Sequence, residues 1–177
     1  LKIETGNTRQ GIDVNAALGL AERIASLPGV RLEGLATHYA DIEDTTDHTF
    51  AQSQLQTFLE VRETFEAAGH GVEMAHSANS AAAILWPQTH GDMVRVGIAA
   101  YGLWPSRETY VTALQAHARR EDGLLPDLAP ALSWRARVAQ VKSVTSGSFV
   151  GYGRTYRATH DSLIAVLPMG YHEGYDR

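Results

Sequence analysis

Cysteine is absent from the chain of 177 residues, which excludes disulfides, thiolate metal sites and cysteine nucleophiles. Lysine is scarce: Lys2 and Lys142 stand against thirteen arginines, and some covalent chemistry can use only lysine. No run approaches the roughly 18 apolar residues of a membrane helix, and no signal-peptide pattern opens the chain. These absences predict a cytoplasmic protein that does not span a membrane.

The overall charge and hydrophobicity are those of a globular protein. The formal net charge is −5, with 44% hydrophobic and 20% charged residues, so no general attraction to nucleic acid or to an anionic membrane is implied. The chain starts without Met inside an apparent strand, "LKIETG", and stops just after another, at "GYHEGYDR". We expect a piece of a longer protein.

Residues 1–112 alternate short apolar runs with helical patterns. The runs "LKIE", "RLEGLATHYA", "VEMAH" and "DMVRVGIAAYGL" predict four strands, and three helices are predicted from Asp13 to about Leu27, from Thr49 to Ala68, and over "NSAAAILW". This repetition is typical of a parallel sheet. Four strands are too few for a (β/α)8 barrel, which takes about 250 residues. The pattern leaves half a barrel and a small open α/β sheet as alternatives.

The pattern changes after a charged linker at residues 113–130. In "ALSWRARVAQVKSV", apolar residues at 132, 134, 136 and 138 alternate with polar ones, which predicts a half-buried strand. The segments "GSFVGYGRTYRA" and "DSLIAVLPMGY" continue as strands. Residues 131–177 are therefore predicted to begin an antiparallel β domain.

Small polar groups lie where the third predicted strand gives way to a helix. Asn79 and Ser80 either cap this helix or help its first N–H groups to bind a phosphate. Gly97 and Ile98 could add backbone N–H groups to such a cradle. Arg95 lies two residues before Gly97 and otherwise forms an ordinary ion pair.

Other candidates are isolated charged or aromatic residues. Lys2 and Arg9 flank a glycine turn, and Arg9 suits bidentate binding of a carboxylate. His38 ends a strand, but no metal-ligand spacing accompanies it. Tyr152 lies between two glycines in the β region, and a catalytic role would require neighbouring cations to lower its pKa from about 10.

In their order, these motifs closely resemble alanine racemase, a family of pyridoxal-5′-phosphate enzymes. The resemblance runs through "KIETGNTRQGI", "GLATHYA", "HSANSAA", "VRVGIAAYG", "LAPALSWRARVAQVKSV", "VGYGRTY" and "LPMGYHEGYDR". It implies an α/β fold in which a partial (β/α)8 TIM barrel over residues 1–112 is followed by part of a C-terminal β domain. It also implies interconversion of L- and D-alanine for cell-wall precursors.

The resemblance implies a role for each matching position near the cofactor. Asn79, Ser80, Gly97 and Ile98 match positions that line the cofactor phosphate. Arg95 matches an arginine that hydrogen-bonds the pyridine nitrogen. Because arginine does not give up its proton near neutrality, that nitrogen should stay unprotonated.

The substrate side of the site is implied in the same way. Arg9 matches an arginine that meets the substrate carboxylate, and Lys2 matches a lysine that is often carbamylated. His38 matches a histidine that links Arg95 to the catalytic tyrosine. Tyr152 matches that tyrosine, which acts as one of two bases and reaches the site of the other subunit, so a homodimer is implied.

The second base of the family is a lysine that also carries the cofactor as a Schiff base. Its motif, of the form "KANAYGHG", occurs nowhere in the chain, so we expect the chain alone to be inactive. Departures at Glu4, Asn7, Thr8 and Gln10, and "GYHEG" in place of "GYADG", leave substrate choice open. The alternatives are a broader-specificity or serine racemase and an inactive pyridoxal-phosphate-binding fragment.

Overall fold

The computed structural model describes residues 1–118 and 127–175. The chain divides into two compact units, Leu1–Leu132 and Ser133–Arg177. The first unit contains α1 (Val14–Ala25), β1 (Gly34–Ala36), α2 (Thr49–Ala67), β2 (Met74–His76), α3 (Ser80–Leu85) and α4 (Arg107–Ala118). The second contains β3 (Gln140–Val144), β4 (Phe149–Val150), β5 (Tyr156–Arg157) and β6 (Ser162–Val166). None of the described helices combines the length and the apolar character needed to cross a membrane.

The three helices predicted in residues 1–112 are confirmed, and side-chain caps explain where two of them begin. The Asp13 carboxylate accepts a hydrogen bond from the Asn15 amide at 2.8 Å at the start of α1. The Asn79 side chain accepts from the Ala82 amide at 3.0 Å at the start of α3. Such caps satisfy N–H groups that have no partner within the helix.

Strands β1 and β2 pair in parallel, with Leu35 opposite Ala75. This pairing agrees with the predicted alternation of strands and helices. The first predicted strand is reduced to isolated bridges, in which Lys2 lies opposite Ala36 and Ile3 lies opposite Ile12. The first unit is therefore of the α/β class, but its two paired strands are only three residues long.

The fourth predicted strand, in "DMVRVGIAAYGL", is wrong. Residues 93–96 belong to no strand. The Asp92 amide donates to the Ala75 carbonyl at 3.0 Å and the Arg95 amide donates to the Ala78 carbonyl at 3.0 Å. These two bonds hold the segment against the end of β2 and the turn after it without the regular pairing of a strand ladder.

The core of the first unit consists of two clusters. One is formed by Ile3, Ala17, Ala21, Leu35, Phe58, Val61, Phe65 and Ala75. The other is formed by Tyr39, Ile42, Ala51, Ala78, Ala81, Ala82 and Trp86. The first joins α1 and α2 to the parallel strands, and the second anchors α3 and the turn that precedes it. The side chain of Arg95 lies just after these strands end, where it bonds the carbonyls of Thr37 and Ser77.

The first compact unit extends beyond residue 112, the predicted end of the first domain. Helix α4 continues to Ala118, and the first compact unit continues to Leu132. The hydroxyl of Ser106 accepts from the Thr109 amide at 2.9 Å, which caps the first turn of this helix. Residues 113–118 of the predicted linker are thus helical, and its residues 119–126 lie outside the described part of the chain.

The second unit is antiparallel, as predicted, but its first strand begins later. Strand β3 pairs with β6, and β4 pairs with β5. The strand predicted from residue 132 begins at Gln140 instead, and Leu132 and Trp134 are 60% and 53% exposed. The alternating pattern has no buried face here, because the described residues of this unit provide no second layer to cover it.

Gly91 allows the chain to turn beside β2. Its φ is +55°, and a Cβ at this position would lie 2.3 Å from the Ala75 carbonyl oxygen. We expect Gly91→Ala to lower the free energy of unfolding by about 3 kcal/mol, because strain and a backbone clash add. Gly29→Ala is the matched control, since Gly29 also has a positive φ but open space around it; it should cost about 1 kcal/mol. Urea unfolding measures both, and equal losses would contradict the clash.

Candidate active site

The guanidinium of Arg95 lies at the carboxyl ends of the two parallel strands. Its Nη2 donates to the carbonyl of Thr37 at 2.6 Å and to that of Ser77 at 3.2 Å. Its Nη1 donates to the carbonyl of His76 at 3.2 Å. Thr37 directly follows β1, and His76 ends β2. The arginine thus joins the strand ends, the edge at which parallel α/β sheets place their ligands.

Two histidines complete the surroundings of this cation. The Nδ1 of His38 lies 3.2 Å from Nη2 of Arg95, and the Nδ1 of His76 contacts Nη1. Because a guanidinium only donates, both Nδ1 atoms must accept. Both rings are therefore neutral in this arrangement, with their proton on Nε2. His38 consequently presents an N–H donor on the side of its ring away from Arg95.

The electrostatics agree with neutral rings. Burial lowers the pKa of His38, and the charges of Arg95, Arg9 and Lys2 lower it further. Burial also lowers the pKa of His76, with Arg95 as the next cause. Burial lowers the pKa of the Arg95 guanidinium as well, but arginine still stays protonated near neutrality.

One donor of Arg95 is not used within the described residues. Its two terminal nitrogens make all of its side-chain hydrogen bonds. The Nε–H therefore remains available, among residues 1–118 and 127–175, to an acceptor brought by a ligand. A ring nitrogen with a lone pair is an acceptor of this kind.

His76 is the site residue to which the sequence pattern assigned no specific role. It is the last residue of β2, and the opposing ladder position in β1 is Ala36. Its position at the carboxyl end of a parallel strand was the signal that could have identified it, because α/β sheets place ligands at that edge. His38 lies two residues beyond the end of β1, so the two rings approach Arg95 from different strands.

The candidate phosphate cradle is built around the hydroxyl of Ser80. Its oxygen accepts from the Gly97 amide at 3.0 Å and from the Ala99 amide at 3.4 Å. With both lone pairs of this oxygen engaged, its own proton is left to donate to an anion. Gly97 precedes a 3-10 turn, Ile98–Ala100. The structure thus brings Ser80, Gly97 and Ile98 together, with the Gly97 amide directed to the serine oxygen.

Asn79 takes the first of the two possibilities that the sequence left open, the helix cap. It caps α3, as described above, and its Nδ2 donates to a carboxylate oxygen of Glu43 at 2.8 Å. The cap interpretation is confirmed.

Lys2 and Arg9 lie on either side of a turn held by Glu4. The Glu4 carboxylate accepts from the Gly6 amide at 2.6 Å, and a hydrogen bond from the Thr8 backbone is the main reason that the pKa of Glu4 is lowered. Lys2 makes a bridge to Ala36 in β1. The two cations lower the pKa of His38, so their charges act on the same region as Arg95.

Tyr152 belongs to the second unit, where it is 92% exposed. It opens a 3-10 turn, Tyr152–Arg154, between β4 and β5. Gly151 and Gly153 have φ values of 80° and 68°, which favour glycine. The guanidinium carbons of Arg154 and Arg157 lie 5.4 and 5.6 Å from the centre of the Phe149 ring. The hairpin therefore presents the tyrosine on a turn that is flanked by glycines and by the arginine contacts with Phe149.

The described residues contain no group of three or more acidic or histidine side chains that could hold a metal ion. Arg95 also makes no ion pair with a described carboxylate. The ion-pair interpretation of Arg95 is therefore replaced by one in which carbonyl oxygens and neutral imidazoles surround the cation.

The neutral histidines lead to a prediction about how stability depends on pH. Both rings should titrate below the ordinary histidine value of 6.5. Because the folded state then binds fewer protons than the unfolded state, stability should fall as the pH drops from about 6.5 through the folded pKa values. Nuclear magnetic resonance titration of the ring carbons of His38 and His76 measures this directly, and midpoints at or above 6.5 would contradict it.

Arg95→Gln should raise both midpoints, because it removes a neighbouring cation, while burial still holds them below 6.5. Arg31→Gln is the matched control: Arg31 pairs with Glu33 and Glu73, before the start of β1 and β2. It should leave both midpoints unchanged.

Sequence comparisons identify two domains in the chain. The alanine racemase N-terminal domain matches residues 1–105, and the alanine racemase C-terminal domain matches residues 131–177. An alanine racemase from Desulfosudis oleivorans is 40% identical over 186 aligned residues, which cover 100% of this chain and 44% of that protein. The chain thus spans less than half the length of this relative.

Solved structures give the same result. An alanine racemase of Clostridium difficile 630 superposes with a TM-score of 0.72 at 29% identity, over 100% of this chain and 43% of that one. The alanine racemase of Bacillus anthracis with bound L-Ala-P superposes with a TM-score of 0.67 at 32% identity, over 98% of this chain and 42% of that one. Together the two domain matches cover most of the sequence, and the chain belongs to the alanine racemase family.

Proposed function

We propose that this chain supplies cofactor-binding and proton-transfer residues of a pyridoxal-5′-phosphate-dependent alanine racemase that interconverts L- and D-alanine. The observation that carries the proposal is the Arg95 guanidinium, fixed between two parallel strands and flanked by two neutral histidines. Family membership supports the reaction. Because the chain spans 44% of the length of the Desulfosudis relative, we propose it as one part of a longer enzyme that works as a homodimer in the cytoplasm and supplies cell-wall precursors.

The residues present fit the phosphate end of the cofactor. The Ser80 hydroxyl has a proton to donate, and the Ile98 amide makes no hydrogen bond to another described backbone group. A Cβ on Gly97 would meet no atom within 4 Å, so the space beside this glycine is open and a side chain would occupy it. Two donors around open space suit an anion. Asn79 lies beside them.

The ring end of the cofactor fits the Nε–H of Arg95. When bound, pyridoxal phosphate supplies an electron-accepting ring that stabilises negative charge at the substrate α-carbon. Arg95 holds its own proton, so it can donate a hydrogen bond to the ring nitrogen without protonating it. A ring whose nitrogen stays unprotonated is a weaker electron acceptor, which favours prompt return of a proton to the α-carbon. His38 and His76 prevent the guanidinium from rotating.

Proton transfer requires a base on each face of the substrate. We assign Tyr152 to one face, in the active site of the partner subunit, because the hairpin presents its hydroxyl outward. Arg9 is assigned to the substrate carboxylate and Lys2 to a carbamylated partner of Arg9. His38, with its Nε2–H, links Arg95 to the tyrosine that the partner subunit contributes to this site. Neither Lys2 nor Lys142 is proposed as the second base.

The fold proposed for the complete enzyme is a (β/α)8 barrel followed by a β domain. In chain order α1, β1, α2, β2 and α3 alternate, and the two strands are parallel, which is the pattern that such a barrel repeats. Racemisation of serine or of several amino acids is the alternative within this chemistry. A pyridoxal-phosphate-binding fragment without activity is the other.

Binding of the cofactor tests the phosphate assignment on the chain as it stands. We expect saturable binding of pyridoxal 5′-phosphate, followed by fluorescence titration. Ser80→Ala should weaken this binding by roughly tenfold, the effect of losing one hydrogen bond to a charged group. Binding of pyridoxal, which has no phosphate, should hardly change. Ser53→Ala, whose hydroxyl bonds the Phe50 carbonyl on α2, is the control, and equal effects on the two ligands would refute the assignment.

Tyr152→Phe in the complete racemase tests the proton-transfer assignment. The equilibrium constant of racemisation is one, so kcat/KM must fall equally in both directions. The face is revealed instead by exchange of the α-hydrogen with deuterated solvent. We expect exchange from L-alanine to slow by roughly 10²-fold or more, and exchange from D-alanine to slow much less.

Tyr156→Phe is the matched control, since Tyr156 lies on β5 of the same hairpin and is 54% exposed. It should leave both exchange rates close to those of the unaltered enzyme. Equal slowing from the two enantiomers in Tyr152→Phe would count against a role on one face. Assays with serine distinguish the alternative substrates.

A further inference from the structure

Helix α4 is connected to Asn79 through Glu43. The hydroxyl of Ser106, which caps α4, donates to the backbone carbonyl of Glu43 at 2.9 Å. The Glu43 carboxylate accepts from the Asn79 Nδ2 at 2.8 Å, and the Asn79 Oδ1 accepts from the Ala82 amide at 3.0 Å. A continuous set of hydrogen bonds therefore runs from the start of α4 to the first turn of α3.

A second contact attaches α4 to the same loop. The Thr112 hydroxyl, on the second turn of the helix, donates to the hydroxyl of Thr45 at 2.8 Å. Thr109 and Ala113 are 0% and 3% exposed, so this face of α4 is packed. The loop that contains Glu43 is thus held at two points by one helix.

This helix lies outside both family domains. The N-terminal domain match ends at residue 105 and the C-terminal match begins at residue 131, whereas α4 spans Arg107–Ala118. The family domains therefore assign no role to α4 or to its contacts with Glu43.

The Glu43 carboxylate determines which way the Asn79 amide faces. A carboxylate only accepts hydrogen bonds, so the Asn79 nitrogen must face Glu43 and its oxygen must face the Ala82 N–H. Without this acceptor the amide can rotate, and the cap of α3 is weakened at the position beside Ser80. Asp44, the next residue, cannot replace Glu43, because its carboxylate is engaged by the amide and hydroxyl of Thr46.

We propose that Glu43 is a positioning residue for Asn79, and that α4 holds Glu43 in place for this purpose. The proposal rests on the proposed function, because it makes α4 a support for the cradle that would bind the cofactor phosphate. Glu43 itself acts through Asn79 and needs no contact with the cofactor.

The test compares Glu43→Ala with Glu43→Gln, whose side-chain oxygen can still accept from Asn79. The first readout needs no ligand: hydrogen exchange of the Ala82 amide. Glu43→Ala should speed this exchange by roughly tenfold, the effect of losing one hydrogen bond to a charged group, and Glu43→Gln should restore it to within about threefold of the original rate. Ser106→Ala should act in the same direction but less strongly. Asp44→Ala is the matched control and should have no effect.

The second readout is binding of pyridoxal 5′-phosphate to the same set of variants. Affinity should fall by roughly tenfold in Glu43→Ala and recover in Glu43→Gln. Unchanged Ala82 exchange or unchanged affinity in Glu43→Ala overturns the inference. Equal losses in Glu43→Ala and Glu43→Gln also overturn it, because they would point to charge and not to a positioned acceptor.

The two readouts separate this inference from the proposed function. If the unaltered chain binds no pyridoxal phosphate while Ala82 exchange responds as expected, the function of the cradle fails and the support of Asn79 by α4 stands. If the unaltered chain binds the cofactor and Ala82 exchange does not respond to Glu43→Ala, the cradle function stands and the support of Asn79 by Glu43 fails. Exchange of the Phe65 amide in the buried part of α2 reports general unfolding, and Ser106→Ala then provides the milder test.

Discussion

The partial burial of one cation, Arg95, is the constraint on which the rest of the first unit depends. Even partial removal of a guanidinium from water is costly unless its donors are satisfied. Here the partners are carbonyl oxygens of Thr37, His76 and Ser77 and the ring nitrogens of two histidines. Such partners exist together only if β1 and β2 end at the same level. The parallel register, with Leu35 opposite Ala75, is therefore coupled to the position of the arginine.

The partners of Arg95 also decide the chemistry available around it. A carboxylate partner would have neutralised the charge and attracted protons to the neighbouring histidines. Carbonyls and neutral imidazoles instead leave a full positive charge, which lowers the pKa of both histidines in addition to the effect of burial. Each ring is then an acceptor toward Arg95 and a donor away from it. Arg95 can therefore orient the outward N–H donors of both rings, and neither ring carries an extra proton.

The sequence predicted the features of this unit that depend on local interactions. Helices α1 and α3 begin where Asp13 and Asn79 can cap them, and such signals lie within a few residues of the structure that they specify. Arg95, His38, Ser80 and Gly97 were recognised from motif order, and the structure brings them together after the strand ends. The strands were predicted less well, since a strand requires a partner distant in sequence. Residues 93–96 and 132–138 have strand-like patterns, but no described segment pairs with them as a ladder, and the role of His76 depends on Arg95, which is 19 residues away.

Asn79 illustrates how a helix cap can support a neighbouring candidate binding site. A helix cap places a side-chain oxygen next to backbone N–H groups, and an anion site needs the same N–H groups to be oriented and accessible. An asparagine amide has a second half, and in this chain that half is bound by Glu43. The cap then becomes rigid, because rotation of the amide would break two hydrogen bonds at once. A rigid cap beside Ser80 holds the first turn of α3 in a fixed position relative to Gly97, and this is the precondition for a binding site assembled from two separate segments of the chain.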